Sequence, residues 1–107
     1  LKALKNDKAA IPVLSLNDTV KKITKDNYVK TTLDRDSLVL VQTPQALRRE
    51  IVPFLMKQLS LVDKSYDDVA CIEKKIKVKV IKGDPINFKI TTPEDLIFAK
   101  KKLNKLY

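Results

Sequence analysis

Residues 83–96, which read GDPINFKITTPEDL, place a turn, an alternating segment and a helix start in direct succession. Within Ile86–Ile90 apolar and polar residues alternate, which predicts a short strand with one apolar face. Thr92 is placed as an N-cap, Pro93 as the first helical residue, and Asp95 at the capping-box position. The stretch therefore predicts strand, turn and helix in the order that α/β folds use.

Lys89 lies at the carboxyl end of this predicted strand, just before the helix start. In open α/β sheets ligands bind at that edge, and helix N-termini there attract anions. A lysine in this position is a candidate phosphate ligand. The alternative is a strand lysine that only faces solvent, and this stretch alone leaves that alternative open.

The composition favours anionic partners. A chain of 107 residues is one small domain or part of a larger one. It carries 22 Lys and Arg against 13 Asp and Glu, a net charge of +9, so nucleic acid, nucleotides, sugar phosphates and membrane surfaces all qualify. The few aromatic residues follow no stacking pattern, which makes nucleic acid an unlikely partner. No apolar run is long enough to span a membrane.

The chain contains no histidine, which excludes Ser-His and Cys-His catalysis and His-ligated metals. Cys71 is the single cysteine, so no intramolecular disulfide can form, and a reducing compartment fits. Its apolar neighbours predict a small buried group rather than a nucleophile. The chain starts at Leu1 and not at methionine, from which we expect further sequence upstream.

A β-hairpin is predicted over residues 15–34. Thr19–Thr24 and Tyr28–Leu33 are rich in β-prone residues, and Lys25–Asn27 separates them as a turn. The hairpin is too polar to build a core, and an isolated two-stranded hairpin is marginally stable in water. We therefore expect it to pack on something else, either a partner subunit or its own domain.

Three further strands are predicted. Ala9–Leu16 reads as a strand broken at Pro12, and Ile76–Val80 alternates with lysines as a half-buried strand. Leu38–Val41 is a continuous apolar run, which is typical of a strand covered on both faces.

Helices are predicted to follow these strands. Thr43-Pro44 repeats the Thr-Pro helix start, Leu47–Leu59 has helical spacing with a kink or break at Pro53, and Asp67–Glu73 forms a short helix. The last helix runs from Pro93 to about Leu106, with Leu96, Ile97, Leu103 and Leu106 facing inward.

Several short motifs occur together in one order, and each alone is weak. They are Ile11–Val13, Asn17–Lys21, Leu33–Arg35, Gln42–Gln45 and Gly83–Leu96. In this order and spacing the chain resembles the C-terminal half of the 2-C-methyl-D-erythritol 4-phosphate cytidylyltransferases, enzymes of the non-mevalonate isoprenoid pathway. The resemblance covers nearly all of the chain.

This resemblance implies an α/β fold with a Rossmann-like nucleotidyltransferase sheet and a protruding β-hairpin arm that makes a homodimer. Residues 1–107 would be the C-terminal part of one domain, with the N-terminal nucleotide-binding half absent. The implied reaction joins CTP and methylerythritol phosphate and releases pyrophosphate. The implied cofactor is Mg²⁺, with its ligand in the N-terminal half, so no metal ligand is assigned here. The fragment alone is then expected to be inactive, and the enzyme to be cytoplasmic or in a plastid-type organelle.

Matched to the family motifs, Arg35 and Lys89 are the candidate catalytic residues. Arg35 would orient the substrate phosphate from the neighbouring subunit, and Lys89 would lie between the attacking phosphate and the nucleotide. Thr19, on the arm, and Thr43, near a helix start, would bind substrate. Without the resemblance, these residues read as a solvated arginine and lysine, a β-prone threonine and an N-cap.

Two departures from the family stand out. Tyr66 precedes Asp67–Asp68 where the family often has threonine, which puts one substrate contact in doubt. Gly83 is the single glycine, so these residues contain no glycine-rich phosphate loop. Three other interpretations remain. One is a pentitol-phosphate cytidylyltransferase, although Leu33-Asp34-Arg35 and the Gly-Asp-Pro turn favour the isoprenoid enzyme. The others are a non-catalytic basic module that binds nucleic acid and an interaction fragment that exchanges its arm with a second copy.

Overall fold

The computed structural model describes residues 1–61 and 69–106 of the chain. Within these residues, a four-stranded mixed sheet and a separate two-stranded hairpin are accompanied by two α-helices. The elements are β1 Ala9–Ser15, β2 Val20–Ile23, β3 Val29–Leu33, β4 Val39–Val41, β5 Ala46–Leu47, α1 Val52–Leu61, β6 Val78–Lys82 and α2 Pro93–Leu106, with short 3-10 helices at Lys2–Lys5, Arg35–Ser37 and Arg49–Ile51. The predicted α/β class is confirmed.

The sheet is organised around β1. On one side β4 and β5 pair antiparallel with its two ends, and on the other side β6 pairs parallel along it. The prediction that Pro12 breaks this strand is wrong. Its carbonyl accepts a hydrogen bond from the Gln42 N–H at 2.9 Å, in the gap between the two antiparallel partners. The nitrogen of Pro12 faces the same gap, so its missing N–H interrupts no strand pairing.

The predicted hairpin is confirmed: β2 and β3, with the turn between them, form the segment called the arm below. Its turn is closed by the Thr24 N–H, which donates to the Tyr28 carbonyl at 2.8 Å. Asn27 adopts a φ of 69°, a left-handed conformation that asparagine tolerates well. Among the described residues, β2 and β3 pair with each other and with no other strand. Ile23, Tyr28 and Val29 on the arm are exposed.

The buried core lies between β1, the start of α1 and the turns before β6. Its buried members in the described part of the chain are Ala9, Ile11, Ile51, Leu55, Val69 and Ile72. Cys71, which was predicted to be a small buried group, is half-buried and packs against this cluster. The core is small: within the described residues it consists of one alanine and five larger aliphatic side chains, contributed by three short segments.

Two predictions of burial are wrong for this chain. Val39, Leu40 and Val41 were expected to be covered on both faces, but they are 45%, 52% and 42% exposed. The strand they form is paired on one edge by β1, and neither of its faces is buried. Leu96, Ile97 and Leu103 of α2 were expected to face inward, and they are also exposed. The burial of Leu106 lies outside what is described.

The dimensions of the chain agree with this exposure. Its Cα radius of gyration is 17.0 Å, whereas a compact domain of this length would have about 13 Å. Large apolar side chains on β4, β6 and α2 remain at the surface. None of the helices in the described ranges has the length and hydrophobicity to cross a bilayer.

The region after β4 differs from its prediction. Thr43 was expected to cap a helix, but the Thr43-Pro44 peptide is cis and leads into β5. Helical structure begins later, with the 3-10 helix Arg49–Ile51 and then α1. Pro53 was expected to cause a kink or a break into two short helices. It lies instead in the first turn of α1, where a missing N–H costs nothing, and the change from 3-10 to α-helix falls just before it, between Ile51 and Val52. Of the predicted helix at residues 67–73, the two aspartates lie outside the described residues.

Candidate active site

A pocket of about 380 Å³ opens on the face of the sheet that carries Leu14 and Leu40. It lies where β1 and β4 meet the segment that follows β6. Its lining combines apolar side chains with amide, hydroxyl and ammonium groups. The lining residues are Leu14, Leu40, Val41, Gln42, Thr43, Pro85, Asn87, Phe88 and Lys89. The pocket thus joins two of the residues that the sequence predicted to bind substrate, Thr43 and Lys89.

The segment that carries Lys89 is not a strand. Residues 83–92 form a turn followed by irregular backbone, so the predicted strand Ile86–Ile90 is wrong. Its backbone groups are taken by other partners: the Asn87 N–H donates to the Asp84 carbonyl at 2.9 Å and the Ile86 N–H to Asp84 Oδ1 at 3.0 Å. Lys89 therefore follows a closed turn, and its exposed side chain borders the pocket.

The turn is bound to the end of β4 by side-chain amides. Gln42 Nε2 donates to the carbonyls of Asp84 at 2.9 Å and Asn87 at 3.0 Å, and Gln42 Oε1 accepts from the Asp84 N–H at 3.1 Å. In return, Asn87 Nδ2 donates to the Thr43 carbonyl at 2.5 Å. Sequence reasoning gave no role to Gln42 or Asn87, although both lie within the motifs that it singled out.

Gly83 permits this close approach. A Cβ added there would lie 2.3 Å from Gln42 Oε1 and 2.9 Å from the Val13 carbonyl oxygen, which already accepts from the Gly83 N–H at 2.8 Å. Any side chain at this position would push the Gln42 amide out of place. The single glycine of the chain therefore serves a close packing of backbone and amide rather than a phosphate loop.

The start of α2 follows the predicted capping box. The Asp95 N–H donates to Thr92 Oγ1 and the Thr92 N–H donates to Asp95 Oδ2, each at 3.1 Å. The backbone N–H of Thr91 also donates to this carboxylate, as does the Thr91 hydroxyl. These hydrogen bonds, first among them the one from the Thr91 backbone, hold the pKa of Asp95 below its ordinary value. They fix the segment between Lys89 and the helix.

The aromatic ring next to Lys89 ties the same segment to α2. Phe88 lies with its ring centroid 5.1 Å from that of Phe98, at an interplanar angle of 57°. Lys102 Nζ lies 5.2 Å from the centroid of the Phe98 ring. The segment is therefore held from both ends, by amides at the turn and by aromatic packing on the helix.

Arg35 lies at the base of the arm and does not line the pocket. It is exposed, in the 3-10 helix that follows β3, and its Nη1 donates to the Asn17 carbonyl at 2.6 Å. The turn is fixed by Asp34, which accepts from the Asp36 N–H at 3.1 Å. Asn17 follows β1 by two residues, so this contact ties the two ends of the arm together at the carboxyl edge of β1.

The structure thus separates the predicted residues into two groups. Thr43 and Lys89 line the pocket, whereas Arg35 and the exposed Thr19 lie just outside the two ends of the arm and do not line the pocket. In the described ranges no three His, Cys, Asp or Glu side chains are grouped so that they could hold a metal ion. The Tyr66 departure and its neighbouring aspartates lie outside the described residues.

Solved structures with this fold are known. 4-Diphosphocytidyl-2C-methyl-D-erythritol synthase from Anaerococcus prevotii DSM 20548 matches with a TM-score of 0.83 at 38% identity, over 96% of this chain and 49% of that chain. 2-C-Methyl-D-erythritol 4-phosphate cytidylyltransferase from Thermus thermophilus gives 0.78 at 28% identity, over 95% and 51%. The fold is therefore that of a nucleotidyltransferase.

The family follows from the sequence comparison. The family model described as IspD, 2-C-methyl-D-erythritol 4-phosphate cytidylyltransferase, matches residues 1–105, and the chain belongs to this family. A curated relative of that name from Dehalococcoides mccartyi (strain ATCC BAA-2266 / KCTC 15142 / 195) is 40% identical over 98% of this chain and 46% of its own length. The chain spans about half the length of the curated relatives it matches. The predicted family is confirmed.

Proposed function

We propose that this chain is the C-terminal part of an enzyme that transfers the cytidylyl group of CTP to 2-C-methyl-D-erythritol 4-phosphate. The enzyme would act in the non-mevalonate synthesis of isoprenoid precursors. The observation that carries the proposal is the pocket shared by Thr43 and Lys89, in a chain whose residues 1–105 match the family. The same match favours this reaction over pentitol-phosphate cytidylyl transfer and over binding of nucleic acid.

The reaction is a phosphoryl-type displacement. An oxygen of the substrate phosphate attacks the α-phosphorus of CTP and forms a new P–O bond, while the bond from that phosphorus to the bridging oxygen breaks and pyrophosphate leaves. Negative charge builds up on the oxygens around the α-phosphorus. The protein therefore contributes chiefly by positioning the two anions and by stabilising that charge.

Within the pocket, we assign Lys89 the role of a charge shared by the attacking phosphate and the α-phosphate. A lysine ammonium is a compact point charge with three donors, which suits two anions that approach each other. Thr43, which lines the same pocket, would offer its hydroxyl to the substrate. Leu14, Leu40 and Phe88 also line the pocket. Once substrate and the other half of the domain cover these apolar side chains and displace water, the electrostatic effect of the ammonium would be stronger than in bulk water.

Arg35 and Thr19 would reach the substrate from a second subunit, in a homodimer formed through the arm. The support is the exposure of Ile23, Tyr28 and Val29 on the arm and the position of Arg35 outside the pocket of its own chain. A guanidinium has five donors, and one nitrogen of Arg35 is bound to Asn17. The remaining donors suit a bidentate contact with a phosphate.

The other half of the domain would supply the nucleotide site. Support for this comes from the 46% coverage of the relative and from the apolar side chains exposed on β4 and α2. We propose that this half also carries the Mg²⁺ ligand, so that the chain alone is inactive, and no step above depends on a metal held here. The location proposed is the cytoplasm, supported by relatives from bacteria, with a plastid-type organelle as the alternative.

Alanine variants of the intact enzyme test the two catalytic assignments. Replacing Arg35 or Lys89 should each lower kcat/KM by roughly 100- to 1000-fold, by analogy with the loss of one preorganised donor. The matched controls are the exposed Arg49→Ala and Lys100→Ala, which should stay close to the unmodified enzyme. Coupled release of pyrophosphate from CTP, with and without methylerythritol phosphate, is the measurement. Near-normal turnover of both Arg35→Ala and Lys89→Ala enzymes would refute the assignment.

Mixing the two inactive variants tests whether Arg35 acts across a dimer. In a mixed dimer, one of the two sites would combine an intact Lys89 with an intact Arg35 from the partner subunit. Random exchange should then restore about a quarter of the normal activity. Activity that stays at background after subunit exchange would show that Arg35 does not act from the partner.

A further inference from the structure

Gln42 holds the pocket together across two segments that are far apart in sequence. Its side-chain amide makes three hydrogen bonds with the backbone of Asp84 and Asn87, more than 40 residues downstream. A primary amide can accept a hydrogen bond from an N–H and donate hydrogen bonds to carbonyls at the same time. A carboxylate can only accept and an ammonium can only donate. The side chain is therefore chemically matched to the turn that it binds.

Asn87 completes the connection in the opposite direction. Its Nδ2 donates to the carbonyl of Thr43, the residue next to Gln42, at 2.5 Å. We call these four hydrogen bonds the amide clamp. Both side chains that form the clamp are close in sequence to a residue assigned to substrate binding. Gln42 directly precedes Thr43, and Asn87 lies two residues before Lys89.

The clamp thus connects the segment that carries Thr43 to the turn that precedes Lys89. Among the described residues, the backbone between Asn87 and α2 belongs to no sheet, so strand pairing does not place Lys89. Displacement of a reacting or stabilising group by about 1 Å can cost up to two orders of magnitude in rate. A loop that carries such a group depends on supporting hydrogen bonds for its precision.

We propose that Gln42 and Asn87 are positioning residues, whose amide clamp sets the Lys89 ammonium against Thr43 in the substrate pocket. This inference rests on the proposed function, because it concerns the placement of a group assigned there. The competing explanation is that the clamp only stabilises a surface turn. The two explanations differ in whether the rate loss depends on Lys89.

The test is a double-mutant cycle on kcat/KM in the intact enzyme. Gln42→Met keeps the length of the side chain and removes its hydrogen bonds. It should lower kcat/KM at least about tenfold in the otherwise unmodified enzyme and less than about twofold in a Lys89→Ala background. Gln58→Met on α1, outside the pocket, is the matched control and should change neither value.

Equal losses in both backgrounds, or no loss in the first, would overturn the positioning role. If Gln42→Met does not fold, as judged by far-ultraviolet circular dichroism, Asn87→Asp takes its place. It keeps the size of the side chain, removes the donor to the Thr43 carbonyl and carries the same expected dependence on Lys89. Lack of cytidylyl transfer by the unmodified enzyme would refute the proposed function itself. Full activity of Lys89→Ala would refute the catalytic assignment of Lys89, and with it this positioning role.

Discussion

Gly83→Ala tests the geometry of the amide clamp directly. The added Cβ would lie 2.3 Å from Gln42 Oε1, so the oxygen must retreat by about 1 Å to reach ordinary van der Waals contact. Its hydrogen bond from the Asp84 N–H, now 3.1 Å, would break, and the two bonds made by Nε2 at 2.9 and 3.0 Å would be lost or lengthened. The Val13 carbonyl cannot move in the same way, because it belongs to β1.

The cost follows from these contacts. A hydrogen bond of this kind contributes about 0.5–1 kcal/mol net, and the lower end applies to bonds near solvent. Three of them, with the close contact to the Val13 carbonyl, give an expected loss of about 2–3 kcal/mol in the free energy of unfolding. Urea unfolding of the intact enzyme measures this loss through the midpoint, provided that the slope is unchanged.

The explanation also predicts how the effect depends on Gln42. In a Gln42→Ala background no amide remains for the new methyl group to displace, so Gly83→Ala should cost at least about 1 kcal/mol less than in the unmodified enzyme. If the two substitutions add within about 0.5 kcal/mol, the loss does not arise from the contact between Gly83 and the amide. The reasoning from close approach would then be wrong.

Three further predictions concern α2 and the arm. Thr92→Ala should lower the free energy of unfolding by about 1 kcal/mol in urea titrations because α2 loses its cap, and Thr92→Ser should restore it; an unaffected Ala variant would contradict the capping role. The folded pKa of Asp95 lies below its ordinary 3.8. The ionised form of Asp95 therefore contributes stability above pH 3.8, and this stability is lost as the pH falls through the folded pKa. The urea midpoint of the unmodified enzyme should accordingly exceed that of Asp95→Asn above pH 3.8, and this difference should shrink as the pH falls through the folded pKa. Ile23→Asp on the arm should shift the proposed dimer towards monomer on size exclusion, whereas Lys25→Asp in the turn should not; dimers of unchanged stability would argue against the arm.

The elements that the sequence predicted well are those whose signals are local. The arm follows from β-prone runs around the Lys25–Asn27 turn, and the start of α2 follows from Thr92, Pro93 and Asp95 within four residues. Each of these depends on neighbours along the chain. Lys89 was already a candidate from its local position. The family resemblance, which rests on motif order, added Thr43 and assigned both residues to one substrate site, which no local rule would have done.

The Thr43-Pro44 prediction failed although it used the same signal as Thr92-Pro93. The difference can be read in the sequence: the capping-box position holds Asp95 in the second case and Ala46 in the first. Without a carboxylate to accept the N-cap N–H, the capping box is incomplete. Ala46 pairs instead with Ala10 on β1, a long-range contact that helix rules do not anticipate.

The strand predicted at Ile86–Ile90 failed for a related reason. Its alternation of apolar and polar residues is correct, but a strand requires a neighbour with free backbone groups. The turn before it is bound by the Gln42 side chain, which lies more than 40 residues earlier and takes the backbone groups of Asp84 and Asn87. Periodicity cannot reveal a partner of this kind, because the partner is a side chain and not a strand.

The position of the pocket relative to the core explains why such hydrogen bonds matter here. None of the core residues in the described part of the chain, from Ala9 to Ile72, lines the pocket. The segments that carry Thr43 and Lys89 therefore border the pocket without any of these buried core side chains in its lining. Close-packed interiors hold side chains within narrow limits, whereas a surface loop has this precision only where directional bonds supply it. The amide clamp and the Phe88–Phe98 contact supply it on the two sides of Lys89, and this is why loss of Gln42 is expected to affect rate through Lys89 and not through the fold alone.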